Sequence, residues 1–156
     1  MSVDGGATEA DPELVRLMRE AFEDVPLHRL VELDVISVGE PGRASMAIPL
    51  KANALGRTGH LHGGALSLLC DVTCAAAAST ASTYDPVTTA LVTADLHVRY
   101  LGPAKGDSVR ADAAVVKAGR TLIVVAAEVT DSEGRQVAVA DFSAMLVPYR
   151  APLAEG

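Results

Sequence analysis

The chain of 156 residues has no tryptophan, two phenylalanines and three tyrosines. Hydrophobic residues nevertheless make up 49% of it, so the core has to be built from Val, Leu, Ala and Ile. Cysteine is scarce as well, with Cys70 and Cys74 the only two. Four residues apart on one helical stretch, they are poorly placed for a disulfide. Adding His60 and His62 does not produce the ligand spacing of a metal site, so they read as small core residues. Cations are the minority charge, 13 Lys and Arg against 20 Asp and Glu, a net −7. No Lys/Arg cluster offsets this locally, which argues against nucleic-acid binding. Arg57, Arg99, Lys105, Lys117 and Arg120 remain as scattered cations able to converge on an anionic ligand. The opening MSVDGGATEADPE has neither a basic n-region nor an apolar h-region, and no apolar run reaches the length of a membrane span. A cytoplasmic protein with no membrane or nucleic-acid partner is expected.

The length fits one domain with a substantial core. Residues 1–10, rich in Gly and acids, are expected to be a disordered acidic tail, with a single domain over 11–150. A helix is predicted from Asp11 as N-cap and Pro12 at the first helical position, with Leu14, Leu17, Met18 and Phe22 on one face and Pro26 ending it. Leu30–Val38 and Arg43–Leu50 read as strands joined by the turn Gly39-Glu40-Pro41-Gly42, followed by a loop over Asn53–Gly59. From about Leu61 to Ser82 the pattern is helical and apolar on nearly every side, which demands burial on all sides. Four Val-rich strands then follow over Ala90–Leu101, Ser108–Lys117, Thr121–Asp131 and Gln136–Val147. An antiparallel sheet curled around one central helix satisfies this order of elements, an α+β arrangement.

The chemistry concentrates in NALGRTGHLHGGALSLLCD, Asn53 to Asp71. A Gly pair, Gly63-Gly64, opens the apolar helix, where backbone N–H groups are free to hold an oxygen gaining negative charge. One carboxylate, Asp71, sits within that helix among Leu68, Leu69, Cys70 and Val72, a costly position without a partner or a task. Asp is also a poor helix-interior residue.

These residues resemble those of the hotdog-fold thioesterases, in the phenylacetyl-CoA thioesterase-like branch, over roughly residues 25–148. The resemblance is carried by the Asn-loop-His-Gly-Gly segment, by the acid eight residues beyond Gly63, by Val98-Arg99-Tyr100-Leu101-Gly102-Pro103-Ala104 with Gly106, and by Gly119-Arg120-Thr121-Leu122. It implies a hotdog fold and acyl-CoA thioester hydrolysis without a cofactor or metal. Gly63 would offer its N–H to the thioester carbonyl, and Asp71 would act as nucleophile or general base. Asn53 and Thr93 would contact the reacting centre, and His62 would hold the loop before the helix. Gly64, Arg99, Lys105 and Arg120 would serve substrate binding. Ala75, one turn beyond Asp71, lacks the hydroxyl that the 4-hydroxybenzoyl-CoA branch carries there, which favours the branch that uses Asp.

Helix geometry adds an expectation of its own. Eight helical residues separate Gly63 from Asp71, a rise of about 12 Å, too far for one chain to place both on one carbonyl. Two such helices antiparallel across a dyad would bring Gly63 of one copy to Asp71 of the other, so a homodimer or a dimer of dimers is expected. The Ala75–Ala78 run would let the helices approach. The alternative on the same fold is a non-catalytic acyl-CoA or lipid-binding protein. A hydratase is disfavoured, because Asp95-Leu96-His97 has the wrong spacing for its acid–histidine segment.

Overall fold

The computed structural model describes residues 11–148; the acidic tail and the last two residues of the expected domain lie outside them. The first helix, α1 (Pro12–Glu23), starts where its signals place it, with the Asp11 side chain accepting from the N–H groups of Glu13 and Leu14. Its buried face differs from expectation. Val15 is buried and Leu17 is 47% exposed, so the face in contact is Leu14, Val15, Met18 and Phe22. Pro26 does more than end α1. It occupies the first turn of a short second helix, α2 (Pro26–Leu30), because proline's fixed φ suits that position. The strand expected from Leu30 therefore begins only at Asp34.

Six strands follow in one antiparallel sheet: β1 (Asp34–Val38), β2 (Arg43–Pro49), β3 (Thr89–Tyr100), β4 (Ser108–Ala118), β5 (Leu122–Asp131) and β6 (Gln136–Pro148). Their order is β1-β2-β4-β5-β6-β3. The long helix α3 (Gly63–Thr80) packs against the sheet. Alternation along β5 buries Ile123, Val125, Ala127, Val129 and Asp131 and leaves the residues between them on the outer face, as a half-buried antiparallel strand requires. Phe142, Met46, Ile48 and Leu69 complete the core.

Helix α3 is not buried on all sides. Ten of its residues are buried, among them Leu66, Leu69, Cys70, Thr73 and Cys74. Gly64, Ser67, Leu68, Asp71 and Ala75 form a stripe that stays open. Ala76–Ala78 are buried in the chain's own fold, so of the alanine run only Ala75 lies on the open stripe. By length and composition α3 is also long and apolar enough to cross a membrane, although no uninterrupted apolar run is. Its packing against the sheet makes it the core helix.

Both cysteines are free and fully buried. Burial, with the Asp71 carboxylate adding to it, pushes the Cys70 thiol up to about 12. Burial likewise raises Cys74 well above the usual thiol range. Because the thiolate is the reactive form, iodoacetamide at pH 8 is expected to leave both cysteines unmodified in the native protein and to alkylate both in denaturant, as read by intact mass. Rapid native labelling would contradict this burial. The linkage has one sign: the raised folded-state values favour the folded protein below the ordinary thiol value, and that advantage declines as pH rises from there towards 12.

Candidate active site

The segment before α3 folds back on itself. Leu55 and Leu61 form an isolated antiparallel bridge, and the His62 N–H donates to the Ala54 carbonyl at 2.8 Å. His62 is then the N-cap, with φ −67° and ψ 130°, and its Nδ1 accepts from the Gly64 N–H at 2.9 Å. The Leu66 N–H reaches the His62 carbonyl at 3.1 Å. Gly64 is thus occupied by the cap, while the Gly63 N–H has no partner among the described residues. Of the two glycines, Gly63 is the one with a donor to spare.

Strand β3 runs beside the open stripe of α3 in the opposite direction. Thr93 Oγ1 donates to Asp71 Oδ1 at 2.9 Å. At the other end the Tyr100 hydroxyl donates to the Gly63 carbonyl at 3.0 Å and lies 2.7 Å from Ser67 Oγ. Simple alternation would put Thr93 and Tyr100, seven residues apart, on opposite faces. The pairing with β6 shows why they share one. Thr93 stands opposite Ala144 and Asp95 opposite Ser143, so Ala94 is an extra, bulged residue. Beyond it Leu96, Val98 and Tyr100 face the helix, opposite buried Phe142, Ala140 and Ala138.

The other expected residues are dispersed. Asn53 is exposed in a single turn of 3₁₀ helix, Ala52–Ala54, one residue from the carbonyl that holds His62. Arg99 lies between Val98 and Tyr100 and so belongs to the outer face, with Asp95 and with His97, whose Nδ1 is 3.9 Å from Asp141. Lys105 is in the β3–β4 loop, its backbone N–H donating to Asp131 Oδ2 at 3.0 Å. Arg120 is exposed in the β4–β5 turn. Among the described residues no hydrogen bond or ion pair joins these four side chains to Gly63 or Asp71.

Sequence reading missed three neighbours of the site. Tyr100 and Ser67 brace the helix start, and Tyr100 would have been found had the bulge been legible. His28 on α2 is the third. Burial holds its imidazole below the ordinary histidine value, opposed by the charge of Asp71. Its Nδ1 is buried with no hydrogen-bond partner among the described residues, and its ring meets Phe22 edge-on at 4.8 Å. A cleft of about 590 Å³ between α1, α2 and β1, lined by His28, Phe22 and Leu33, contains neither Gly63 nor Asp71.

Thr93 carries a prediction. Thr93→Ala removes one charge-assisted hydrogen bond to Asp71, and kcat for a thioester is expected to fall roughly tenfold. If the hydroxyl serves only to orient Asp71, affinity for a non-hydrolysable CoA analogue should change less. Equal losses in both would make Thr93 a binding or packing residue instead.

A curled six-strand antiparallel sheet with one long central helix is the hotdog fold of the thioesterases. Residues 58–138 match the thioesterase superfamily, and the chain belongs to that family. A candidate esterase of Saccharolobus solfataricus is 30% identical over 122 residues, covering 78% of this chain and 84% of that protein. One from Halobacterium salinarum is 39% identical over 87 residues, covering 52% of this chain; the alignment spans only 56% of that relative's length. Among solved structures, a thioesterase family protein from Silicibacter pomeroyi is 28% identical with a TM-score of 0.74, covering 84% of this chain and 96% of that one. The PaaI protein from the phenylacetic acid degradation operon of E. coli shares the fold at 22% identity and a TM-score of 0.72, covering 85% and 91%.

Proposed function

We propose that the protein hydrolyses an acyl-CoA thioester to a free acid and CoA. The observation that carries this reading is a Gly63 N–H with no partner among the described residues at the start of α3, and, two turns along it, an Asp71 carboxylate oriented by Thr93, which a second copy of the helix would bring to the same carbonyl. Attack on the thioester carbon moves charge onto its oxygen, and the Gly63 N–H at a helix N-terminus is the donor for it, aided by the helix dipole. Asp71 either takes a proton from the attacking water or attacks the carbon itself. The C–S bond then breaks, and the CoA thiolate leaves and takes up a proton. In the first route Asp71 returns to its starting state directly; in the second, water hydrolyses the acyl–Asp71 anhydride. Tyr100 and Ser67 fix the first turn of α3, and His62 keeps Gly64 engaged so that the free donor is Gly63.

The assembly we propose is a homodimer, or a dimer of such dimers, with each site shared between two chains. Support comes from the open stripe of α3, which bears Asp71, and from β3, which lies at the edge of the sheet and among the described strands pairs with β6 alone. Val92 and Tyr100 on that strand, and Leu101 just beyond it, are 47%, 53% and 50% exposed in the single chain, a hydrophobic edge that a second copy would cover. Arg99, Lys105 and Arg120 are assigned to the phosphates of CoA, and Asn53 to the reacting centre of the site that its own His62-Gly63 opens. A cytoplasmic setting fits two free buried thiols.

The test is direct. Purified protein incubated with a panel of aromatic and aliphatic acyl-CoAs, with a thiol reagent reporting free CoA, is expected to release thiol at a rate proportional to enzyme. Tight binding of acyl-CoA without release would assign the fold to a carrier.

A further inference from the structure

The cations of this chain divide sharply. Seven of the twelve Lys and Arg among the described residues are engaged. Arg16, Arg19, Arg43, Lys51, Arg110 and Arg135 have carboxylate partners, and Arg29 donates to the Glu23 carbonyl at 2.6 Å. The remaining five are Arg57, Arg99, Lys105, Lys117 and Arg120. Lys117 and Arg120 lie on the β4–β5 hairpin, on the side where the Val115 N–H donates to the Gly42 carbonyl and the Gly42 N–H to Thr80 Oγ1, at the far end of α3. Arg57, Arg99 and Lys105 lie at the Gly63 end.

Arg57 is distinctive among them. It stands on the short turn between the bridged residues Leu55 and Leu61, directly before His62 and Gly63. That turn is closed by the Gly56 N–H to the His60 carbonyl at 2.8 Å and the Gly59 N–H to the Gly56 carbonyl at 3.0 Å. Gly59 has φ +75°, a conformation that L side chains rarely adopt. The backbone is therefore locked, yet the side chains it carries, Arg57, Thr58 and His60, are exposed and make no hydrogen bond or ion pair with the described residues. A locked turn that spends none of its side chains on the fold is built to present them. Electrostatics agrees: between Glu40 and Asp71 there is no acidic residue, in a chain that has 20 of them. The segment that leads into the helix start thus brings no carboxylate of its own.

We infer that the Arg57–His60 turn is a phosphate-binding arm, on which Arg57, with His60 beside it, receives the phosphates of the CoA portion of the substrate. This rests on the thioesterase reading for the identity of the ligand. Arg57 offers the planar guanidinium that matches a phosphate, in the same chain and next to the donor for the thioester oxygen. Lys105 joins it from the β3–β4 loop, whose Asp107 carbonyl accepts the Leu50 N–H at 2.7 Å, at the base of the same segment. A nucleic acid is a poor occupant, given the net charge of −7.

The experiment is calorimetric titration of the full-length protein with free CoA, 3′-dephospho-CoA and pantetheine, which needs no turnover. For Arg57→Gln the Kd for CoA is expected to rise roughly tenfold, the worth of one charge-assisted hydrogen bond, with pantetheine unchanged. Arg57→Lys should recover part of the loss, and His60→Gln should show a smaller one. Because both side chains are exposed and make no hydrogen bond or ion pair with the described residues, all three variants are expected to melt as the wild type does. CoA affinity unaltered in Arg57→Gln, or lost equally for pantetheine, overturns the arm. Hydrolysis is scored separately. A wild type that turns over thioesters but binds CoA without Arg57 loses the arm and keeps the reaction, whereas one that binds CoA through Arg57 and hydrolyses nothing keeps the arm and loses the reaction. Failure to bind CoA at all removes the arm.

Discussion

Asp71→Asn is expected to lower thioester turnover by about two to four orders of magnitude, the range that positioned proton transfer contributes. The substitution is close to isosteric, and the amide oxygen can still accept from Thr93 Oγ1, which reaches Asp71 at 2.9 Å. Position 71 lies on the open stripe of α3 rather than in the core, so no buried ion pair is broken and the melting temperature should hardly move. What disappears is the anionic oxygen, needed whether the residue attacks the carbon or activates water. Substrate affinity should be retained, so the loss belongs in kcat. Turnover of Asp71→Asn near that of the wild type would take Asp71 out of the reaction and return the protein to the carrier reading.

The second large effect is a recovery. Gly63→Pro deletes the backbone N–H proposed to hold the thioester oxygen, and it suits its position well. Gly63 is the first helical residue, where proline is favoured. His62 before it is already extended, at φ −67° and ψ 130°, as a residue preceding proline must be. Gly63→Pro and Asp71→Asn should each be nearly inactive alone. If each site takes its donor from one chain and its carboxylate from the other, mixing the two variants with subunit exchange forms hybrids with one intact site and one doubly defective site. About half the dimers are hybrids at equal mixing, so activity should approach roughly one quarter of wild type. Eight residues of α3 separate the two groups by about 12 Å, too far for one chain to serve one carbonyl. Hybrids shown to form, by mass or by tag, and yet inactive would mean that the sites are not shared.

The fold was legible because its signals are local and redundant. Asp11 and Pro12 mark a helix start, Gly39 to Gly42 a hairpin, and four Val-rich runs bounded by turn residues give four strands. Their bounds in the structure, Thr89–Tyr100, Ser108–Ala118, Leu122–Asp131 and Gln136–Pro148, differ by a residue or so. The first 25 residues of the described chain were harder. Leu17 fits the apolar period, but Val15 is the residue that α1 buries, since which side of a short surface helix meets the sheet depends on where the sheet is. The helix α2 was hidden by reading Pro26 only as a terminator, although the same residue can open a helix. In the site, the helix start and Asp71 stood out because glycines and a carboxylate are costly there unless used. Tyr100, Ser67 and His28 did not, because an aromatic in a strand, a serine in a helix and a histidine beside a leucine are ordinary. Their proximity to the site is a property of the tertiary arrangement alone.

The bulge at Ala94 has a consequence for how this strand tolerates change of length. Elsewhere between Asp95 and Tyr100, losing one residue would exchange the two faces and turn Asp95, His97 or Arg99 towards the helix. At Ala94 the surplus is already present. Removing it would leave Thr93 opposite Ala144 and Asp95 opposite Ser143, the same partners as now, in an unbroken ladder. The hydroxyl beside Asp71 and the phenol beside Gly63 are therefore not bound to a fixed separation in sequence: six residues or seven would serve the same geometry. Strand β3 carries slack at one place only, and that place falls between the residue that touches Asp71 at the middle of α3 and the one that touches Gly63 at its start.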